Sequence, residues 1–220
     1  MQRVKLFEAA HKGLRSALCQ FSSQIGKTDF NNTEQVSILH VLGKEVFMML
    51  STHANDENSI ILAELEAKVP GSSKHDMDDH EKLEADQSAM ETLLDEIREI
   101  QNKGEDAAGF GAELYMKFLK FHGEYLLHTY EEETETQRLL WDNFTDEEIH
   151  AMRGRIIARF TPGAFEIWQK YIMPSITPGD RTMLFKGMKM QSPEGFQKLM
   201  AMAKKYLSPE ELGSLEKSLE

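Results

Sequence analysis

The strongest constraint on this chain is an absence. Nowhere does it alternate apolar and polar residues with a period of two, and its prolines and glycines cluster at a few points. A half-buried strand needs that alternation, whereas apolar residues three, four and seven apart make one face of a helix. The chain therefore reads as all-α.

A first helix is predicted over about residues 2–24, where Val4, His11 and Leu18 recur seven apart with Phe7 and Leu14 between them. The polar loop GKTDFNNTEQ follows. Thr33 is then expected to cap a second helix over about 34–67, which Pro70-Gly71 ends. A third begins after Ser72-Ser73 and runs to about Asn102. Gly104 breaks it, and a fourth runs from near Glu105 to about Asn143. Three of these helices are long and their connections are short. Short links make sequential helices antiparallel neighbours, so the expectation over residues 1–144 is an up-down-up-down four-helix bundle.

After Asn143 the texture changes. The segments TDEE (145–148), TPGA (161–164), TPGD (177–180), SPEG (192–195) and SPEE (208–211) each open with a hydroxyl residue followed by acid or proline. The hydroxyl accepts a free backbone N–H, and proline gives up an N–H that had no partner. Residues 145–220 are thus expected to form a helical C-terminal extension packed on the bundle. Met183, Phe185, Met188, Met190, Phe196, Met200 and Met202 make it rich in flexible apolar side chains. Ordinary core packing is the first reading, and an adaptable face for a protein partner is the alternative.

Charge narrows the partners. A formal net charge of −12 and a pI near 5.2 argue against nucleic acid or an anionic membrane, both of which need a basic face. No stretch approaches a membrane span, and the N-terminus lacks the uninterrupted apolar run of a secretory signal. One cysteine, Cys19, excludes an intrachain disulfide and fits a reducing compartment. It is expected to be a buried structural thiol. The chain reads as a soluble cytoplasmic protein.

Histidine and carboxylate placement carries the chemistry. His53 and Glu57 stand four apart, within one helix face, and His128 and Glu132 repeat that spacing on the fourth helix. His11 sits mid-stripe on the first helix. On the third, His75 and His80 are five apart and cannot both point inward; His80, three before Leu83, is the interior candidate, with Asp76 on its face. Each helix thus offers an inward donor. Imidazole and carboxylate together suit iron, manganese or zinc, and facing helices of a bundle are an established place for a dinuclear site. His40, His122 and His150 are read as structural or solvated, with His122 the one that could support a ligand.

His11, HANDE at 53–57, HEKLE at 80–84 and HTYEEE at 128–133, followed by LLWDNFTDEEI, resemble the hemerythrin-like, or HHE cation-binding, domain family over about residues 1–150. The resemblance implies a four-helix bundle around a non-haem di-iron centre, bridged by two carboxylates and an oxo or hydroxo group. Glu57 and Glu132 would be the bridging carboxylates, and His11, His53, His80 and His128 the terminal ligands. Oxygen-carrying members have H-x-x-x-H on helix three and H-x-x-x-x-D on helix four; here Asp76 and an H-x-x-x-E stand instead. The pattern is closer to bacterial iron-sulfur-repair di-iron proteins and eukaryotic iron-sensing hemerythrin-like domains. The implied activity is sensing or reacting with dioxygen, nitric oxide or peroxide. Iron storage or donation for cluster repair, and a helical interaction module without metal, are the alternatives. No G-x-S-x-G and no Gly-rich phosphate loop is present, so nothing points to nucleophilic hydrolysis or phosphate binding.

Overall fold

A computed structural model describes residues 3–220. Among the described residues there are nine helices and no strand. The first helix, α1, spans Glu8–Lys27. The second, α2, runs Thr33–Asp56, passes through a π-helical turn at Glu57–Leu62 and ends as Ala63–Lys68. Helix α3 is Lys74–Asn102. Helix α4 runs Ala108–Glu131, passes through a second π turn at Glu132–Thr136 and ends as Gln137–Asn143. The shorter helices are α5 (Asp146–Arg159), α6 (Pro162–Ser175), α7 (Pro178–Gln191), α8 (Pro193–Tyr206) and α9 (Pro209–Ser218). Among the described residues, no helix is long and apolar enough to cross a membrane.

The chain divides into two compact units. One holds the N-terminal residues to Glu8 together with Ala17–Arg159, and the other holds Ala9–Ser16 with Phe160–Glu220. In the first, α2 packs along α3 and α3 along α4. Gly43 makes the first of these contacts close: a Cβ there would stand 2.4 Å from Leu94 Cδ2 and 3.1 Å from the Phe21 ring. Phe21 meets Phe47 and Phe118 edge-on, with ring centroids 5.6 and 4.8 Å apart. A separate apolar cluster gathers Leu6, Phe7, Ile60, Ile61, Leu65, Leu140, Phe144, Ile149 and Met152.

Three expectations for the N-terminal half need correction. The first helix starts at Glu8, not near residue 2, which itself lies outside the described residues. Residues before it are tied to the end of α4 instead. Arg3 donates to Trp141 O and Phe144 O, each at 2.7 Å, and to Asp146 Oδ1 at 2.7 Å. Leu6 N–H donates to Gln137 Oε1, and Trp141 Nε1 donates to Val4 O, both at 2.7 Å. A guanidinium on the last carbonyls of α4 satisfies groups that a helix end leaves open. Asn32, rather than Thr33, caps α2, accepting from Gln35 N–H at 3.0 Å. Cys19 is exposed, not buried. It stands about 200° around α1 from Phe21, so the face that buries Phe21 turns the thiol outward.

In the second unit the hydroxyl caps form as the spacing predicts. Thr161, Thr177, Ser192 and Ser208 each accept from the backbone N–H three residues on, and Ser208 and Glu211 close a reciprocal capping box. Phe185, Leu199, Ala203, Leu207 and Leu215 pack with Met173 into one apolar core. Arg181 is buried beside it. Its Nε donates to Met173 O at 2.9 Å, at the end of α6, and its Nη2 donates to Glu211 Oε1 at 3.1 Å. Of the methionines in this segment, Met183 and Met190 are exposed.

Candidate metal centre

The two H-x-x-x-E pairs meet in the first unit, and each glutamate opens a π turn. His53 Nε2 lies 3.1 Å from Glu57 Oε2 on α2, and His128 Nε2 lies 3.3 Å from Glu132 Oε2 on α4. Single π turns inside α-helices are frequent at functional sites, because they displace side chains from the regular 3.6-residue register. His80, from α3, stands between them. Its Nε2 is 3.4 Å from Glu57 Oε2, 3.5 Å from Glu132 Oε1 and 3.0 Å from His128 Nε2. All of these side chains are buried, and Glu132 is completely so.

The donors form two overlapping groups. One atom each of Glu57, His80, His128 and Glu132 lies within 4.8 Å of the others. One atom each of His53, Glu57 and Glu132 satisfies the same limit. Both glutamates are common to the two groups. His11 lies in the other unit's share of α1, fully buried, in register with Leu14, Leu18, Phe21 and Ile25 along one face of that helix.

The orientation of His80 is set from outside. Its Nδ1 is 2.7 Å from Asn58 Oδ1, a carbonyl oxygen one residue into the π turn. A proton on Nδ1 makes that bond and aims Nε2 at the two carboxylates. This is how a ligating imidazole is commonly held. Burial opposes charge on this ring, but hydrogen bonds to Glu132 and Glu57, with their charges, outweigh it and lift the His80 pKa to about 10. The interior at this point favours positive charge.

The other sequence candidates separate cleanly. Asp76 is buried and accepts from Thr136 Oγ1, at the end of the second π turn, at 2.7 Å. Burial raises its pKa above the usual carboxylate range, only partly offset by the Thr136 bond, with Glu132 adding to the rise. Asp76 is not among the converging donors. His75 is exposed, 3.1 Å from Glu131 Oε2. His40 is structural: its Nε2 lies 2.7 Å from Asp95 Oδ1, which Lys44 also contacts. His122 packs on the Phe118 ring, its pKa lowered by burial, and its Nε2 makes no hydrogen bond. His150 is exposed. Asn58 and Thr136 were not singled out in the sequence. Their only signal is position: one directly follows Glu57, and the other lies four beyond Glu132, on the same helix face.

The spacing can be compared with a coordination shell. Bonds of about 2.1 Å at angles between octahedral and tetrahedral place neighbouring donors roughly 3.0–3.4 Å apart. The observed separations run from 3.0 to 3.5 Å. Two imidazole nitrogens facing each other at 3.0 Å between carboxylates are otherwise costly to bury, because at most some of their lone pairs can find a proton. The donor set, two imidazoles and two carboxylates in the tighter group, suits a first-row transition metal ion. In comparisons with known proteins, no protein family, curated protein or solved structure matches this chain.

Proposed function

We propose that this chain is a hemerythrin-like four-helix bundle, in up-down-up-down order, holding two iron ions in a reducing cytoplasm. Its function is to sense or react with dioxygen, nitric oxide or peroxide. The observation that carries the reading is the convergence of buried imidazole and carboxylate donors at 3.0–3.5 Å around two shared glutamates. Glu57 and Glu132, common to both donor groups, would be shared between the ions, and His80 and His128 would hold one of them. His53 would serve the other.

Ferrous iron, when bound, supplies the electrons and the open coordination position that a small oxidant needs. The chain's own residues do the rest. Asn58 fixes the tautomer of His80, and Thr136 holds Asp76 beside the centre without making it a ligand. The apolar cluster that includes Ile60, Ile61 and Leu140 flanks both π turns and keeps water from that side. An aspartate in place of a histidine at position 76 removes one neutral donor, which favours reaction or sensing over reversible oxygen carriage.

The test is metal analysis with an optical spectrum, on protein purified both aerobically and anaerobically. Two irons per chain with a charge-transfer band in the near ultraviolet are expected. Less than one transition-metal ion per chain in both preparations would overturn the reading.

A further inference from the structure

The His-to-carboxylate spacing of four recurs twice on α3, at His80 and Glu84 and, just before it, at His75 and Asp79. Here it faces outward. His75 Nε2 lies 3.1 Å from Glu131 Oε2, on α4, and 3.8 Å from Asp79 Oδ2. One donor atom from each of the three lies within 4.8 Å of the others. The side chains are 65 % (His75), 35 % (Asp79) and 31 % (Glu131) exposed. Among the described residues no lysine or arginine pairs with Asp79 or Glu131; neighbouring Lys74 is taken by Asp78.

A surface ion pair would be a sufficient account but for what lies behind it. His128 Nδ1 is buried, makes no hydrogen bond, and stands 3.7 Å from the same Asp79 Oδ2 that faces His75. The opposite nitrogen of that ring, Nε2, faces Glu132 and His80 in the buried group. Asp79 is therefore placed between an exposed imidazole and the back of a buried one. One carboxylate faces both.

We propose that His75, Asp79 and Glu131 form an exposed site for a divalent first-row metal ion, separate from the buried donors. One imidazole and two carboxylates match the ligand chemistry of ferrous iron, manganese or zinc, with the remaining positions open to water. The site loads the buried centre: an ion held against Asp79 lies at the rim of the donor group that His128 belongs to. This loading role rests on the function proposed above; the exposed site does not.

The experiment uses the full chain and two probes. Manganese(II) binding is followed by loss of the free-ion paramagnetic resonance signal, after the buried centre has been filled with iron. One additional, weaker ion per chain is expected. His75→Ala, at an exposed position, and Glu131→Gln, at a half-buried one, lose it, whereas His53→Ala loses buried metal and keeps the exposed ion. Anaerobic loading with ferrous iron is then timed: His75→Ala slows filling several-fold and leaves the final iron content unchanged.

If the wild type binds no additional ion, or His75→Ala retains it, the exposed site is overturned. If the ion is lost but filling is equally fast, the loading role is overturned. If the buried centre never fills while one manganese ion binds and depends on His75, the exposed site stands and the di-iron reading falls.

Discussion

The buried centre of the first unit and the core of the C-terminal unit solve the same packing problem with opposite materials. The C-terminal core is made of Met173, Phe185, Leu199, Ala203, Leu207 and Leu215. Its one deeply buried charge, Arg181, is spent on helix-end carbonyls and Glu211. The first unit buries Glu57, Glu132, His53, His80 and His128 together, with Asp56 and Asp76 nearby. An apolar core is stable by itself. A group of buried carboxylates and imidazoles needs a cation, a proton or a metal ion, to be tolerable. One region is an ordinary apolar core, and the other concentrates buried donors that could hold a metal ion. A tryptophan in each reports on them separately: Trp141 near the foot of α4 and Trp168 in α6.

The largest expected effect is at Glu132. Removing it with Glu132→Ala takes a donor from both groups, so bound metal should fall below one ion per chain by elemental analysis. Full metal retention would mean that the polar cluster is only a proton-filled core, and the contrast between the regions would dissolve.

Phe185→Ala is the reciprocal change. Truncating a fully buried phenylalanine costs about 3–5 kcal/mol, and chemical denaturation followed through Trp168 should show it. Metal content should not move. If it drops, the C-terminal core supports the metal centre and the two regions do not act independently.

The next effect is on pH dependence. The folded-state pKa of His80 is raised to about 10 from an ordinary 6.5. A raised histidine pKa stabilises the folded state fully below about 6.5, and that contribution is lost as pH rises through the folded value. Metal-free protein should therefore lose thermal stability between pH 6.5 and 10 when read through Trp141. Residues 160–220 contain no histidine, and His11 is the one histidine of that unit, so the Trp168 signal should depend less on pH over this range. Equal slopes would remove the electrostatic distinction.

The smallest effect is at a cap. Ser208→Ala removes the hydroxyl that accepts from Glu211 N–H and should cost about 1 kcal/mol. The measured quantity is the denaturation midpoint, with metal content again unchanged.

Much of this architecture was legible before any coordinates. Helix ends at Lys68, Asn102 and Asn143 follow from Pro70-Gly71, Gly104 and the TDEE start, because these residues end or begin helices by local rules. The pairings of His53 with Glu57 and His128 with Glu132 follow from a helix's four-residue repeat. His80 inward and His75 outward follow from their angular separation together with Leu83, three residues beyond His80. The start of α1 was not legible. Val4 and Phe7 continue the apolar stripe of His11, and only the distant partners Trp141, Phe144 and Asp146 pull that segment out of a helix. Cys19 misled for a related reason: an apolar neighbourhood in sequence does not say which side of the helix is covered.

Local rules make the chain helical, stop most of its helices and put donors on a shared face, since each depends on residues within a turn or two. Tertiary packing set His80 between two glutamates from other helices. It also decided that both glutamates open π turns, and that Asp79 faces His75 and His128 at once. The contacts of His80 with both glutamates and of Asp79 with His128 join side chains tens of residues apart, and only packing in three dimensions sets the distances between them.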